Sequence, residues 1–456
     1  MDFPNILFIM TDNQGAWTLG CYGNPDIRTP CIDGLAEEGM RFANAYAVNS
    51  VCSPSRATFF TGLIPSQHGV HCYLGGEKPD SQMGPDAYCT IGEFSNLSRV
   101  LSQEGYTCGL SGKWHLGDSL HPQEGFEYWF SKPKGHTSTF YNDELIWQNQ
   151  TYTEPRYTTD VITEHALDFL ENHRQEPFFL YVAYNGPYGL GAHMTETHRN
   201  RHTDYYADKD LPCFPREPVH PWLKQNRQLV NNPISIRGYA SAVSGVDDGV
   251  GALLDALSEY GLEENTLVIF TADQGLCGGH HGMWGMGDHS RPLHTFEEAV
   301  HIPLLFRHPE RIEAGVVFEG RTCNYDFFPS LLDYLGLSEH IPDTSPGTSY
   351  APALRGDSQD WDNTVFHEFE NARMIRTDRW KYTWRHPDGP DELYDMQADP
   401  GERQNLAGSS GEVVQDLRAQ LSTFFDTYAN PEYDVWRGGR SKAGRITDRG
   451  NGLKGD

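Results

Sequence analysis

Five short apolar runs punctuate the chain, at 5–10, 106–111, 178–184, 266–272 and 302–306. Each is too short for a helix and is flanked by polar residues, Gly or Pro, which predicts buried β-strands. Other stretches carry helical spacing. Residues 157–173 place Val161, Ile162, His165, Leu167, Phe169 and Leu170 on one side, and 238–260 do the same with Tyr239, Val243, Val246, Val250, Leu253, Leu254 and Leu257. Strands alternating with helices predict an α/β fold, a large mostly parallel sheet sandwiched by helices. Ligands in such sheets gather at the carboxyl ends of the strands. Two of the runs end alike, Asn5–Met10 in Thr11-Asp12-Asn13 and Leu267–Phe270 in Thr271-Ala272-Asp273-Gln274. Asp12 and Asp273 can therefore converge although 261 positions separate them.

The rest of the chain has less pattern. Residues 205–236 hold Pro212, Pro215, Pro218, Pro221 and Pro233, and read as a loop rather than a core element. A smaller C-terminal α+β unit is expected at 357–437 after a catalytic domain at 1–356. It has short strands at Thr364–Phe369, Arg373–Ile375 and Trp380–Trp384, and a helix from about Glu412 to Tyr428. Residues 438–456 form a Gly-rich basic tail with Arg440, Lys442, Arg445, Arg449 and Lys454. Two readings stand for it: a disordered terminus, or an arm packed on an acidic surface or on a second subunit of a homo-oligomer.

Length and charge narrow the partners. A chain of 456 residues can bury a large core. Its 35 Lys and Arg against 63 Asp and Glu give a net charge of −28, which argues against nucleic acid and anionic membranes. Turnover of an anion would then need positive charge concentrated at one site. No apolar run reaches the length of a membrane span. The first strand begins by Asn5 with neither a basic nor an apolar leader ahead of it, so the sequence as given predicts a cytoplasmic protein. Nine cysteines without a CxxC pair fit reduced thiols better than a disulfide framework.

Candidate chemistry lies in a few stretches. Asp12, Asn13, Asp273 and Gln274 offer oxygen atoms only, the donor set of a hard cation such as Ca²⁺ or Mg²⁺. Cys52-Ser53-Pro54-Ser55-Arg56 opens a helical segment, where unpaired backbone N–H groups favour an anionic oxygen. In Gly112-Lys113-Trp114-His115-Leu116-Gly117, Lys113 and His115 are two apart and share a face if the segment is extended. Near the end stand Glu392-Leu393-Tyr394-Asp395-Met396 and Asp399-Pro400-Gly401-Glu402-Arg403-Gln404-Asn405-Leu406.

In this order, from about Asn5 to Leu406, these stretches resemble the formylglycine-dependent, arylsulfatase-like sulfatases of the alkaline phosphatase superfamily. The resemblance implies an alkaline phosphatase-like fold and hydrolysis of a sulfate monoester, a carbohydrate or aryl sulfate. It implies that Cys52 is oxidised to formylglycine by a formylglycine-generating or anaerobic sulfatase-maturating enzyme. One hydroxyl of the aldehyde hydrate then attacks sulfur, and loss of the other's proton ejects sulfate. It further implies one Ca²⁺, or Mg²⁺, held by Asp12, Asn13, Asp273, Gln274 and the modified Cys52. Arg56 would keep the nucleophile ionised, Lys113 would touch the sulfate, and His115 would hold or deprotonate the second hydroxyl.

Two departures from the family pattern limit the transfer. The family often has Asn-x-Pro-His where this chain has Asn185-Gly186-Pro187-Tyr188, so Tyr188 stands where a leaving-group acid is expected, with His193 as a substitute. A sulfate-binding Lys is often found where this chain has Met286, followed by an apparent insertion at Gly287–His294. Arg291 or His294 is the candidate for the missing charge, and His280, His281 and His289 stand nearby. Asn13 also replaces a frequent Asp. Two rival functions stay open on these residues. One is a phosphodiesterase or phosphonate monoester hydrolase with the same nucleophile, since a phosphate diester has the single charge of a sulfate monoester. The other is an inactive sulfatase-like binding protein.

Overall fold

A computed structural model describes residues 3–75, 82–196 and 199–443. Among them the main sheet has eleven strands. Five central strands run parallel, in the order Thr266–Ala272, Asn5–Asp12, Phe178–Pro187, Thr107–Gly112, Phe126–Ser131. Asp143–Trp147 and Gln150–Glu154 extend one edge antiparallel. At the other edge Leu304–Arg307 pairs with Thr266–Ala272, and Met40–Tyr46 joins Leu304–Arg307, His301–Ile302 and Val316–Cys323. The expected strand 302–306 is thus two short strands divided at Pro303, which has no N–H to give to a ladder.

Alternate side chains of each central strand enter different cores. Ile6, Phe8 and Met10 join one cluster with Phe59, Phe60, Leu101 and Phe328. Leu7 and Ile9 join the other, with Val161, Phe169, Val246 and Leu253 from the helices Thr158–His173 and Pro233–Glu259. Both faces are covered, which is why these strands read as unbroken apolar runs. The first helix covers the predicted 157–173 but for Tyr157 and the second covers 238–260 but for Tyr260, starting earlier, at Pro233, capped by the Asn232 side chain.

Residues 205–236 are largely irregular, as expected of a proline-rich loop. They nevertheless supply Phe214, Leu223 and Leu229 to a third core cluster, so the expectation of a loop outside the core is corrected. The loop is held inside by large apolar side chains while its prolines prevent regular structure.

A second sheet is antiparallel, Val365–Phe369, Ala372–Arg376, Trp380–Arg385 and Glu392–Asp395, with the helix Gly411–Tyr428 packed on it through Leu417, Leu421 and Phe425. Gly438 to Ala443 lie against the body. Lys442 N–H donates to the Gly69 carbonyl at 2.7 Å, its ammonium pairs with Glu93, and Ala443 is buried. Arg445, Arg449 and Lys454 fall outside the described residues. No helix among the described residues is long and apolar enough to cross a membrane.

Candidate active site

The register of the sheet builds the centre. Thr11 pairs with Ala272, so the next residues, Asp12 and Asp273, emerge side by side at the carboxyl edge, and Asp273 N–H donates to the Thr11 carbonyl at 3.0 Å. The neighbouring strands deliver Tyr188 after Phe178–Pro187 and Lys113 and His115 after Thr107–Gly112. Asn13, His115 and Tyr188 all take left-handed backbone angles, with φ of 60°, 63° and 53°. Such conformations cost energy and persist where packing over-determines them, often at functional sites. Gly112 has a structural reason of its own: a Cβ there would lie 1.9 Å from the Ala183 carbonyl oxygen.

Cys52 is the first residue of the helix Cys52–Thr61, whose ten residues are all buried. Val51 precedes it in extended conformation with no side-chain cap, leaving the first-turn N–H groups directed at residue 52. The helix is fixed to the Asp273 strand through Ser55, whose hydroxyl donates to the Asp273 carbonyl and accepts from Asn324 Nδ2 at 2.9 Å. One turn on from Cys52, Arg56 sends Nε and Nη2 to Asp273 Oδ2 at 3.0 and 2.8 Å, with Asp12 Oδ2 3.6 Å from Nη2. Its Nη1 donates to the Lys113 carbonyl at 2.8 Å and the Tyr181 hydroxyl at 3.0 Å. Lys113 Nζ donates to Asp12 Oδ2 at 2.6 Å. These four charged side chains are fully buried and their charges sum to zero.

The surroundings set the protonation states. Burial pushes the Cys52 thiol up to about 12, against the pull of Lys113, so an unmodified Cys52 is a poor nucleophile. Burial opposes the charge of Lys113, but Asp12 outweighs it and its pKa rises. Burial, with the charge of Asp12 beside it, raises Asp273 to about 6. Burial lowers His115, whose Nε2 lies 2.9 Å from the Leu74 carbonyl oxygen while Nδ1 is buried with no partner.

A divalent cation fits the donor set. Ligand atoms of Asp12, Cys52 and Asp273 lie within 4.8 Å of one another. Gln274 Nε2 donates to Asn13 Oδ1 and lies 3.5 Å from Cys52 Sγ, while its Oε1 is buried and unpartnered. Turned over, that amide would offer its oxygen to the same space, as a ligand does.

Ten residues were expected at the site, and nine of them meet here. Tyr188 is buried, its N–H donates to the Asp12 carbonyl at 3.0 Å, and Lys113 Nζ is 5.9 Å from its ring centre. His294 is different: its Nε2 lies 3.0 Å from the Met286 carbonyl oxygen, its ring is 5.1 Å from that of Phe296, and burial lowers its pKa to about 3. It is neutral and fixes the insertion. Arg291 donates to the carbonyls of Asp288 and Ser290, and His281 pairs with Glu298 at 3.1 Å. Met286 is itself at the centre, its Sδ 3.2 Å from Gln274 Nε2. Sequence reasoning missed Lys132 and His136, which follow the strand Phe126–Ser131. Lys132 is buried and paired with Asp143, and His136 Nδ1 lies 2.8 Å from the Tyr188 hydroxyl. The signal for them was Phe126-Glu127-Tyr128-Trp129-Phe130, an aromatic strand following Gly125.

The sulfatase family model matches residues 4–337, and the C-terminal model of N-sulphoglucosamine sulphohydrolase matches 282–427. The chain belongs to the sulfatase family. Among its relatives, it is 28% identical to an N-acetylglucosamine-6-O-sulfatase of Bacteroides thetaiotaomicron, over 89% of this chain and 83% of that protein. It is 31% identical to human arylsulfatase A, over 91% and 86%. A solved structure described as in complex with its substrate D-glucosamine-2-N,6-O-disulfate superposes with a TM-score of 0.77 at 25% identity, covering 93% of this chain and 98% of that one. The fold is that of the alkaline phosphatase-like sulfatases, and the chain is a sulfatase, an enzyme of sulfate ester hydrolysis.

Proposed function

We propose that the enzyme cleaves the sulfate monoester of a sulfated saccharide, with formylglycine at position 52 and a divalent cation held by Asp12, Asn13, Asp273 and Gln274. The observation that carries this is the meeting of Cys52, at a helix N-terminus, with Asp12, Asp273, Arg56 and Lys113 in one buried, charge-balanced cluster. Formylglycine supplies a hydrated aldehyde, and a bound dication, Ca²⁺ or Mg²⁺, supplies a Lewis acid for the sulfate oxygens. The chain's own residues do the rest. Arg56 and Lys113, both fully buried, offset negative charge developing on the oxygens at low local dielectric, where such stabilisation is worth most. Arg56 also locks Asp273 in place. His115, kept neutral by burial, can accept a proton from a hydroxyl at position 52.

Support for a saccharide comes from the relatives named for N-acetylglucosamine-6-O-sulfate and from the disulfated glucosamine held by a structure of the same fold. In this reading 1–356 is the catalytic domain and 357–437 a subdomain that buttresses it. The Glu368 N–H donates to the Val48 carbonyl at 2.7 Å, and Asn49 Nδ2 donates to the Glu368 carbonyl at 2.7 Å, just ahead of Cys52.

The test joins a mass measurement with a substrate panel. In protein made with a maturating enzyme, tryptic peptide 42–56 should be lighter by about 18 Da, the change from thiol to aldehyde. Such protein should release sulfate from sulfated amino sugars, and Cys52→Ser protein should not turn over. Preferential cleavage of an aryl phosphodiester or phosphonate, or full activity of protein with unmodified Cys52, would overturn the reading.

A further inference from the structure

We propose that Lys442 is a positioning residue for the reaction, through which the C-terminal arm, residues 438–443, sets the ring of His115. The proposal rests on the reading above, in which His115 takes a proton from a hydroxyl at position 52. A carbonyl can only accept, so His115 Nε2, 2.9 Å from the Leu74 carbonyl oxygen, carries the ring proton. Nδ1, buried and without a partner, is then the basic nitrogen. The acceptor at Leu74 thus selects the tautomer that can act as a base. His115 also has a left-handed φ of 63°, a conformation that its surroundings must enforce.

What holds Leu74 leads to the arm. Its N–H donates to Ser53 Oγ at 3.0 Å, beside Cys52. The next residue, Gly75, exchanges two hydrogen bonds with Gln82. Gln82 N–H donates to the Gly75 carbonyl at 2.7 Å, and Gly75 N–H donates to Gln82 Oε1 at 3.1 Å. The other end of that amide, Nε2, donates to the Lys442 carbonyl at 2.7 Å. Lys442 N–H donates in turn to the Gly69 carbonyl at 2.7 Å, so one residue of the arm ties both ends of segment 69–75. Gly69 leaves the room for this: a Cβ there would lie 2.7 Å from the Tyr433 ring and 3.1 Å from Lys442 Cγ.

The Lys442 side chain makes a second route to the same histidine. Its ammonium donates to the Thr90 carbonyl at 2.9 Å and pairs with Glu93. It also lies 4.6 and 4.9 Å from the ring centres of Phe94 and Tyr433, a favourable seat for a cation. Thr90 N–H and the Thr90 hydroxyl both donate to the Leu116 carbonyl, at 2.8 and 2.9 Å, one residue after His115. The Lys442 side chain is 6% exposed, whereas that of Arg440, on the same arm and paired with Glu432, is 66% exposed. Lys442 is therefore the cation by which the described part of the basic tail holds the body.

The experiment uses the full chain as wild type, Lys442→Met, Gln82→Met, Arg440→Gln, His115→Ala and the double variant of His115→Ala with Lys442→Met. The first readout needs no turnover: ring ¹⁵N spectra of protein with unmodified Cys52, with the His115 signals assigned by their loss in His115→Ala. Wild type should show a neutral His115 protonated on Nε2, and Lys442→Met and Gln82→Met should each show a mixture of both tautomers. In protein carrying formylglycine, each of these two variants should lose about 10–100-fold in kcat on nitrophenyl sulfate with KM little changed, up to the ~10² that a misplaced group costs. Arg440→Gln should match wild type. On the His115→Ala background, Lys442→Met should add little further loss. Should Lys442→Met fail to fold, Gln82→Met, which cuts the same chain of bonds at its far side, decides. Unchanged His115 signals, a loss confined to KM, an equal loss with and without His115, or a comparable loss in Arg440→Gln would overturn the proposal. If wild type carrying formylglycine hydrolyses no sulfate ester, the reading above falls instead, while the spectra of unmodified protein still decide whether the arm sets the ring.

Discussion

Replacing Arg56 by Met tests whether the buried charges behave as one unit. Arg56 and Asp273 have no exposed surface, and two guanidinium nitrogens lie 2.8 and 3.0 Å from one carboxylate oxygen. Two further acceptors, the Lys113 carbonyl and the Tyr181 hydroxyl, depend on the same side chain. Arg56→Met takes the cluster from a net charge of zero to −1, and breaking one side of a buried pair costs about 3–5 kcal/mol. Asp273→Asn takes it to +1 and should also destabilise. The double variant returns it to zero, with Asp12 and Lys113 still paired at 2.6 Å, so the two losses should fall short of additivity by about 0.5–3 kcal/mol. Urea unfolding in the presence of chelator, on protein with unmodified Cys52, reads all four corners of the cycle without activity entering. A single Arg56→Met loss within about 1 kcal/mol of wild type, or strict additivity, would refute the coupling.

Three other outcomes are expected. Asp12→Ala should lose bound cation and nearly all turnover, and metal analysis of dialysed protein checks it; full cation content would remove Asp12 from the ligand set. Asn13→Asp should tighten cation binding in a calorimetric titration by adding a carboxylate to the donor set. Asp326 is buried, accepts N–H bonds from Cys323 and Thr348 at 2.8 Å each, and is raised by burial to about 7. An acid with a raised folded pKa favours the native state at low pH, and that contribution fades as pH climbs from about 4 to about 7. The stability of wild type relative to Asp326→Asn should therefore fall by up to about 4 kcal/mol over that window, read from unfolding midpoints at each pH; a constant difference would refute it.

Four of the five central strands were legible because burial on both faces leaves a continuous apolar run, as in Ile6–Met10 and Leu267–Phe270; Phe126–Ser131, with Glu127 exposed and Tyr128 half-buried, was not. Outer strands were not. Met40–Tyr46 interleaves Arg41, Ala43 and Asn44 with its buried residues, and Val316–Cys323 is half exposed over most of its length. Such alternation over a few residues carries little signal. The same reason hid part of the site. Asp12, Asp273, Lys113 and Tyr188 follow strands with strong runs, so their convergence could be argued from topology. Lys132 and His136 follow Phe126–Ser131, and without that strand nothing places them at the same edge. His294 was expected near the substrate because it ends an insertion beside Met286, but its direction depends on one hydrogen bond to a backbone carbonyl. No sequence pattern encodes that bond.

The zero sum of the Asp12, Asp273, Arg56 and Lys113 charges makes the pocket a counter of ligand charge. In the proposed site a dication would raise the sum to +2, and an ionised hydroxyl at position 52 with the single charge of a sulfate monoester would return it to zero. A phosphate monoester near neutral pH would bring a second negative charge and leave one unit unbalanced among fully buried side chains. One unit-charge interaction at 4 Å and an effective dielectric of 20 is about 4 kcal/mol, or roughly a thousandfold in occupancy. Loaded as proposed, the pocket would separate two oxyanions of nearly identical shape by their valence. With Asn13 among the ligands as proposed, its neutral amide would hold the tally where it is: a carboxylate there would tighten the cation and loosen the sulfate by the same added charge.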